Sequence, residues 1–204
     1  VLISIMYANN EIGTIQPITK IGEIAHKNGI IFHTDAVQAC ANTKIDVKKQ
    51  NIDMLSLSGH KMGATKGIGA LYVNKDIDFL RILDGGGQER KKRAGTENVP
   101  GIIGLGEAAE IGMKNINKHI EKLRKSRDYY ITEIQKNISD IKINGSLIDR
   151  LPGNSNISFK NVNGSELLLK LDGKGICASA GSACSSGNTT PSHVLTAIGL
   201  TDEY

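Results

Sequence analysis

Tryptophan is missing from this chain, and aromatic residues of every kind make up only 4% of it. A core built without large rings has to be packed with Ile, Leu and Val, and a hydrophobic content of 39% supplies enough of them. Cysteine is scarce and odd in number, three residues with no Cys-x-x-Cys pair. That excludes a disulfide framework and fits a reducing, cytoplasmic compartment. No apolar run is long enough to span a bilayer. The net charge is only +4, and the densest basic run is Lys91-Lys92-Arg93. Aromatic interleaving, zinc-finger spacing and a long basic helix are all lacking, so no nucleic-acid partner is expected. A starting methionine and a signal peptide are lacking too. Val1–Met6 is already an apolar, strand-like run, and Thr201–Tyr204 follows directly on a helix-like segment. Both ends read as cuts through a larger protein.

Glycine, by contrast, is plentiful, with 23 residues in 204, and it is clustered. The densest chemistry lies around one such cluster. Ile52–Leu57 reads as a buried strand that empties into Ser58-Gly-His60-Lys61. Glycines follow, and then a second strand-like run, Ile68–Val73. A lysine delivered from a strand end into a polar, glycine-lined pocket can lose its proton and act as a nucleophile, although a lone turn lysine is usually just solvated.

The rest of the chain repeats that pattern. Val1–Tyr7 reads as a strand ending in Asn9-Asn10-Glu-Ile-Gly13, whose amides are turn formers or planar donors. Pro17 opens an amphipathic helix with Ile18, Ile21, Ile24 and Ala25 at helical spacing, and Asn28-Gly29 closes it. Ile30–His33 is the next strand, ending in Thr34-Asp35-Ala-Val-Gln38. Asp35 is read either as a helix N-cap or as a group lining a ligand crevice, which in an open α/β sheet lies outside the carboxyl ends of the strands. Ile82–Thr96 is a glycine-rich basic loop suited to an anion. Asn98-Val-Pro100 starts a long helical region reaching toward Ile138, with a break expected near residues 115–117. Short strands at Ile141–Ile143 and Asn156–Phe159, a helix over Glu166–Leu171 and a strand through Ile176–Ala178 follow. Ser179–Thr190 is a run of small polar residues around Cys184, a composition suited to a moving, reactive thiol. Cys40 and Cys177 have apolar neighbours and are expected to pack. A metal set of Cys177, Cys184 and His193 matches no standard spacing, so no metal is expected.

Taken together and in order, Asn9-Asn10-Glu-Ile-Gly13, His33-Thr-Asp35-Ala-Val-Gln38, Ser56-Leu-Ser58-Gly-His60-Lys61, Arg93-Ala-Gly-Thr96 and Ser179-Ala-Gly-Ser-Ala-Cys184-Ser-Ser resemble the cysteine desulfurases of the NifS/IscS kind. These belong to the class V aminotransferase group of fold-type I pyridoxal-phosphate enzymes. The resemblance implies an α/β fold: residues 1–116 as the latter part of a mixed-sheet, cofactor-binding large domain, and 117–204 as an incomplete small α+β domain. It implies that Lys61 forms the Schiff base with pyridoxal 5'-phosphate, that Asp35 pairs with the pyridinium nitrogen and that Gln38 contacts the ring hydroxyl. Ser58 and His60 bind the phosphate, His60 standing with Lys61 and Cys184 among the catalytic residues. Thr96 reaches the phosphate of a neighbouring subunit, and Asn10 holds the ring oxygen or the substrate carboxylate. Cys184 takes the sulfur of L-cysteine as a persulfide and passes it to an iron–sulfur scaffold or another acceptor protein. A cytoplasmic homodimer is implied.

About half of a full family chain is present. The phosphate-gripping turn, the ring-stacking histidine and the substrate-clamping arginine have no counterparts here, and strand Val1–Met6 is expected to leave an open sheet edge. A selenocysteine lyase or sulfinate desulfinase on the same scaffold, a non-catalytic remnant that only binds a partner, and a plain aminotransferase are the rival readings.

Overall fold

The computed structural model describes residues 2–181, 192–201, 203 and 204. Its contacts divide the chain into two compact units, Val1–Tyr7 with Gln16–His119 and Ala8–Ile15 with Ile120–Tyr204.

The first unit is a four-stranded mixed sheet of β1 (Leu2–Met6), β2 (Ile31–Asp35), β3 (Met54–Ser58) and β4 (Gly69–Val73), in that spatial order. β1, β2 and β3 run parallel, with Ser4 opposite His33 and Asp35 opposite Ser56, and β4 returns antiparallel to β3. Successive strand residues point to opposite faces, and the two faces differ in chemistry. Phe32, Thr34 and Leu55 share one face and are buried. Ser4, His33, Asp35 and Ser56 share the other, where His33 hydrogen-bonds Ser4 Oγ at 2.7 Å through Nδ1 and Ser56 Oγ at 2.8 Å through Nε2. β1 is an edge strand among the described residues, and Leu2, Ile5 and Met6 are exposed along it.

Helix α1 (Ile18–Lys27) follows Pro17, which stands just before the first helical residue rather than within it. The helix buries Ile18, Gly22 and Ala25. The expected stripe through Ile24 is therefore rotated, and Ile24 is 61% exposed. Gly22 sets the rotation, because a Cβ there would stand 2.6 Å from the carbonyl oxygen of Gln50. The helix ends at Asn28, followed by Gly29 at φ +63°. Its last turn is tied to the sheet by His26 Nε2, 3.0 Å from Asp53 Oδ2, the same oxygen that accepts the Phe32 amide.

Beyond β4, a single turn α2 (Gln88–Lys91) holds Glu89, Arg90 and Lys91 at positive φ. Helix α3 (Val99–Asn137) then runs 39 residues without the expected break. Asn115 turns its Nδ2 back to the Ile111 carbonyl at 2.9 Å, so its side chain caps the helix's own backbone instead of competing with it. Glu110–Lys114 and Glu121–Lys125 brace both sides of that point as i,i+4 pairs. The helix starts in the first unit and ends in the second.

In the second unit, β5 (Ile141–Ile143) and β6 (Ile157–Phe159) form an antiparallel pair. They are followed by α4 (Gly164–Asp172), whose first amides bond Asn163 Oδ1, and by α5 (His193–Ala197), capped by Ser192. Buried Arg150 donates to the carbonyls of Ser146 and Asn144 and to Asn154 Oδ1, and burial with nearby Arg127 lowers its pKa. The expected strand through Ile176–Ala178 is irregular backbone, bordered by Gly173 and Gly175 and without a ladder partner among the described residues. Cys177 is accordingly exposed rather than packed, whereas Cys40 is buried as expected.

Candidate active site

The parallel pairing of β2 and β3 delivers two chain segments side by side at their carboxyl ends, and the Ala36 amide extends the ladder to the Ser56 carbonyl at 2.9 Å. Asp35 emerges there, exposed, with Oδ1 accepting the Val37 amide at 2.9 Å. The carboxylate thus caps the 36–40 turn while standing at the strand end. Gln38 sits half-buried in that turn and its carbonyl accepts the Asn42 side chain. Cys40 closes the turn with its thiol pushed up to about 11, chiefly by burial and secondarily by the Asp35 charge. A thiol so held stays protonated and inert.

On the neighbouring strand, Ser58 is the last residue of β3 and falls on the same face as Asp35 and Ser56. The chain then turns through Gly59-His60-Lys61 as one 3-10 turn. Ser58 Oγ and His60 Nδ1 share a hydrogen bond of 2.8 Å, and His60 and Lys61 are exposed. Gly59 makes this turn possible. Its amide bonds the Ile68 carbonyl at 2.9 Å, and a Cβ on it would lie 2.7 Å from Ile68 Cγ2. The chain enters the closing strand β4 by way of Gly67, which lies at φ +85°. Ser58, His60, Lys66, Gly67, Ile68 and Gly69 line a depression of about 470 Å³. A hydroxyl, an imidazole and exposed glycine backbone suit a phosphate. A primary amine one turn past a strand end and a carboxylate on the adjacent strand suit a pyridine aldehyde. The donor set fits pyridoxal phosphate.

Thr96 lies exposed between α2 and α3 in the first unit. The basic run before it is partly committed. Lys92 pairs with Asp78, lowering that carboxyl's pKa, and stands 4.8 Å over the Phe79 ring. Asn10 belongs to the second unit. Its neighbour Asn9 is the turn former, with Oδ1 accepting the amides of Glu11 and Ile12, and Asn10 is exposed at the crest. Cys184 and its immediate neighbours lie outside the described residues. Sequence reading passed over Glu11, buried at 6% exposure, whose carboxylate accepts a hydrogen bond from Ser192. The available signal was an acid set inside an otherwise compact turn motif. Among the described residues no group of three His, Cys, Asp or Glu side chains could hold a metal ion, and no helix is long and apolar enough to cross a membrane.

A mixed α/β sheet with Asp35, Ser58, His60 and Lys61 at adjacent strand ends defines the class. The chain belongs to the aminotransferase class-V family, whose model matches residues 1–201. Within that family it is 56% identical over 203 residues to cysteine desulfurase IscS of Methanosarcina thermophila, covering 100% of this chain and 50% of that protein. Cysteine desulfurase IscS of Dictyoglomus turgidum is 50% identical over 200 residues, covering 98% of this chain and 51% of the relative. A NifS-like protein from Rickettsia africae, solved by X-ray, superposes with a TM-score of 0.90 at 34% identity, over 99% of this chain and 53% of its own. A structure of SspA in complex with cysteine superposes with a TM-score of 0.77 at 40% identity, over 99% and 55%. The chain therefore spans about half the length of the relatives it matches.

Proposed function

We propose that this chain carries part of a pyridoxal-phosphate-dependent cysteine desulfurase: residues 1–116 from the cofactor-binding domain and 117–204 from the domain bearing Cys184. The observation that carries this is the placing of Asp35 and Ser58 on one face at the ends of two paired parallel strands, with Lys61 a single turn further on. The names of the relatives, and a cysteine complex among the structural neighbours, support the substrate.

When bound, pyridoxal phosphate supplies an electron sink for bonds at the substrate's α and β carbons. Asp35 places a negative charge where a ring nitrogen has to stay protonated, and Gln38 on the same turn offers an amide to the ring hydroxyl. Ser58 and His60 bind phosphate oxygens. Lys61 would anchor the cofactor and move a proton at the substrate carbon. Asn10 holds the ring oxygen or the substrate carboxylate. The Cys184 thiolate attacks the sulfur of L-cysteine, the carbon–sulfur bond breaks, and the carbon takes up a proton. L-alanine leaves and one sulfur remains on Cys184 as a persulfide, so atoms and electrons balance without an external oxidant. The persulfide passes to an iron–sulfur scaffold or a thiolation acceptor. A cytoplasmic homodimer, with Thr96 directed to the partner's phosphate, completes the reading, and free thiols at Cys40 and Cys177 suit such a compartment.

The test is incubation with pyridoxal phosphate, borohydride reduction and peptide mapping, followed by L-cysteine. A reduced adduct on Lys61 and a persulfide on Cys184 are expected. An adduct elsewhere, or persulfide formation that survives Cys184→Ala, would refute the assignment.

A further inference from the structure

The depression beside Ser58 and His60 carries a cation that none of the motif assignments uses. Lys66 lines it, together with those two side chains and the backbone from Gly67 to Gly69. Lys66 comes well after Ser58 in the chain, and backbone hydrogen bonds bring it back. The Gly59 carbonyl accepts the amides of Met62 at 2.9 Å and Ala64 at 3.0 Å, and the Gly59 amide donates to the Ile68 carbonyl at 2.9 Å. The loop is thereby closed on Gly59, and Ser58 stands opposite Gly69 where β3 and β4 pair. Lys66 and Gly67 form the turn just before that pairing.

The lining is one-sided in charge. Among the described residues no Asp or Glu belongs to it. His60 already shares Nδ1 with Ser58 Oγ at 2.8 Å. As a neutral ring it offers a single N–H, and the serine offers a single O–H. Lys66 brings a full positive charge. Lys49, Lys92, Lys114, Lys125 and Lys160 each meet a carboxylate. Lys66 is exposed, and among the described residues no ion pair or hydrogen bond engages its ammonium. It therefore has no carboxylate to give up when an anion arrives. A phosphate monoester carries about 1.5 to 2 negative charges at pH 7, more than neutral donors can offset.

We propose that Lys66 is a binding residue for a phosphate monoester in this depression, supplying the full charge that Ser58 and His60 lack and so selecting the phosphorylated cofactor over the unphosphorylated aldehyde. The inference rests on the reading of Ser58 and His60 as phosphate ligands. It goes past that reading by naming the residue that tells a phosphate from an uncharged group. Lys61 does not fill this role, because in the same reading its amine is bound to the aldehyde carbon.

The test titrates the chain with pyridoxal phosphate and, separately, with pyridoxal, traps the product with borohydride and quantifies the adduct on Lys61. Wild type, Lys66→Met, Lys66→Arg and Ser58→Ala are compared at low and high salt. Lys66→Met keeps the length of the side chain and removes its charge. It should raise the pyridoxal phosphate concentration needed for half-maximal adduct about tenfold and leave the pyridoxal titration as in wild type. Lys66→Arg keeps the charge and should stay within about threefold of wild type. Added salt should weaken pyridoxal phosphate loading more in wild type than in Lys66→Met, since screening acts on the charge. If Lys66→Met loads both compounds as wild type does, or loses both equally, the proposal is overturned. Ser58→Ala separates it from the reading beneath. Should Ser58→Ala lose the preference for the phosphorylated compound while Lys66→Met keeps it, the phosphate site stands and the role of Lys66 is refuted. A wild-type chain that loads pyridoxal as readily as pyridoxal phosphate refutes the assignment of Ser58 and His60 itself. Binding of inorganic phosphate, followed by phosphorus NMR, repeats the comparison without an aldehyde, so a chain that forms no Lys61 adduct still tests Lys66. There, Lys66→Met must bind phosphate more weakly than wild type, and equal binding overturns the proposal.

Discussion

Gly59→Ala tests whether the turn presenting Lys61 is set by packing beneath it. Gly59 does not need a left-handed backbone, so alanine is not excluded by conformation. The constraint is space. The new methyl would meet Ile68 Cγ2 at 2.7 Å, the Ile68 carbonyl oxygen at 3.1 Å and Ala64 Cβ at 3.2 Å. The first is a side-chain methyl able to give way, but Ala64 Cβ is fixed to its backbone, and the carbonyl is bonded to the Gly59 amide at 2.9 Å and has little freedom. Overpacking of this kind costs about 1–3 kcal/mol. Its relief requires Ser58-Gly59-His60 to lift away from β4, which shifts Ser58, His60 and Lys61 together. Denaturant unfolding should show the loss, and borohydride-trapped cofactor on Lys61 should fall about tenfold at limiting pyridoxal phosphate. Ile68→Ala supplies the control. It removes Cγ2, so Gly59→Ala should cost less in that background, by about 1 kcal/mol in a double-mutant cycle. Equal cost in both backgrounds, or full cofactor loading by Gly59→Ala, would refute the claim that close packing on Ile68 sets the turn.

Cys40, with its thiol pushed up to about 11 from 9.0, binds its proton more tightly folded than unfolded. Its contribution to stability is complete below about pH 9 and is lost as pH rises toward 11. Unfolding followed between those pH values should show a decline that Cys40→Ala lessens, and iodoacetamide at pH 8 should modify Cys177 well ahead of Cys40. Arg150→Met should destabilise the second unit by about 2 kcal/mol or more, because the carbonyls of Ser146 and Asn144 lose a charged donor. Arg150→Lys should recover only part of this, since an ammonium cannot match the fork of the guanidinium. Full recovery in chemical denaturation would argue against a geometric role for Arg150.

The strands were legible because each combines β-branched or leucine residues with a polar exit: Ile31–Asp35 and Met54–Ser58 fall within a residue or two of their expected places. The breaks were harder to read. Asn115 looked like an interruption of α3 because asparagine competes with helical backbone, yet its amide reaches back to Ile111 and the competition turns into support. Ile176–Ala178 has the composition of a strand and no described partner to pair with, and a strand exists only as part of a ladder. The rotation of α1 was hidden for a related reason. The decisive residue is Gly22, which contributes nothing to hydrophobic periodicity and everything to how closely the helix approaches Gln50.

The turn Asn9–Gly13 shows why a motif read as a block conceals the physics inside it. Asn9 is consumed by the backbone, accepting two amides to form the turn. Asn10 stands exposed at the crest, where a side chain can meet a ligand. Glu11 points back into the second unit and holds Ser192. Gly13 takes φ +70° at a place where a Cβ would strike Asn154 Oδ1 at 2.3 Å, so no other residue lets the turn close on the 144–156 segment. Substitutions at these positions should therefore separate by kind. Asn10→Ala should leave folding intact and weaken ligand binding, whereas Gly13→Ala should disturb the second unit before any ligand is added. A motif match assigns one function to all of these residues, but burial and hydrogen-bond direction divide it between a scaffold, a contact and a tether.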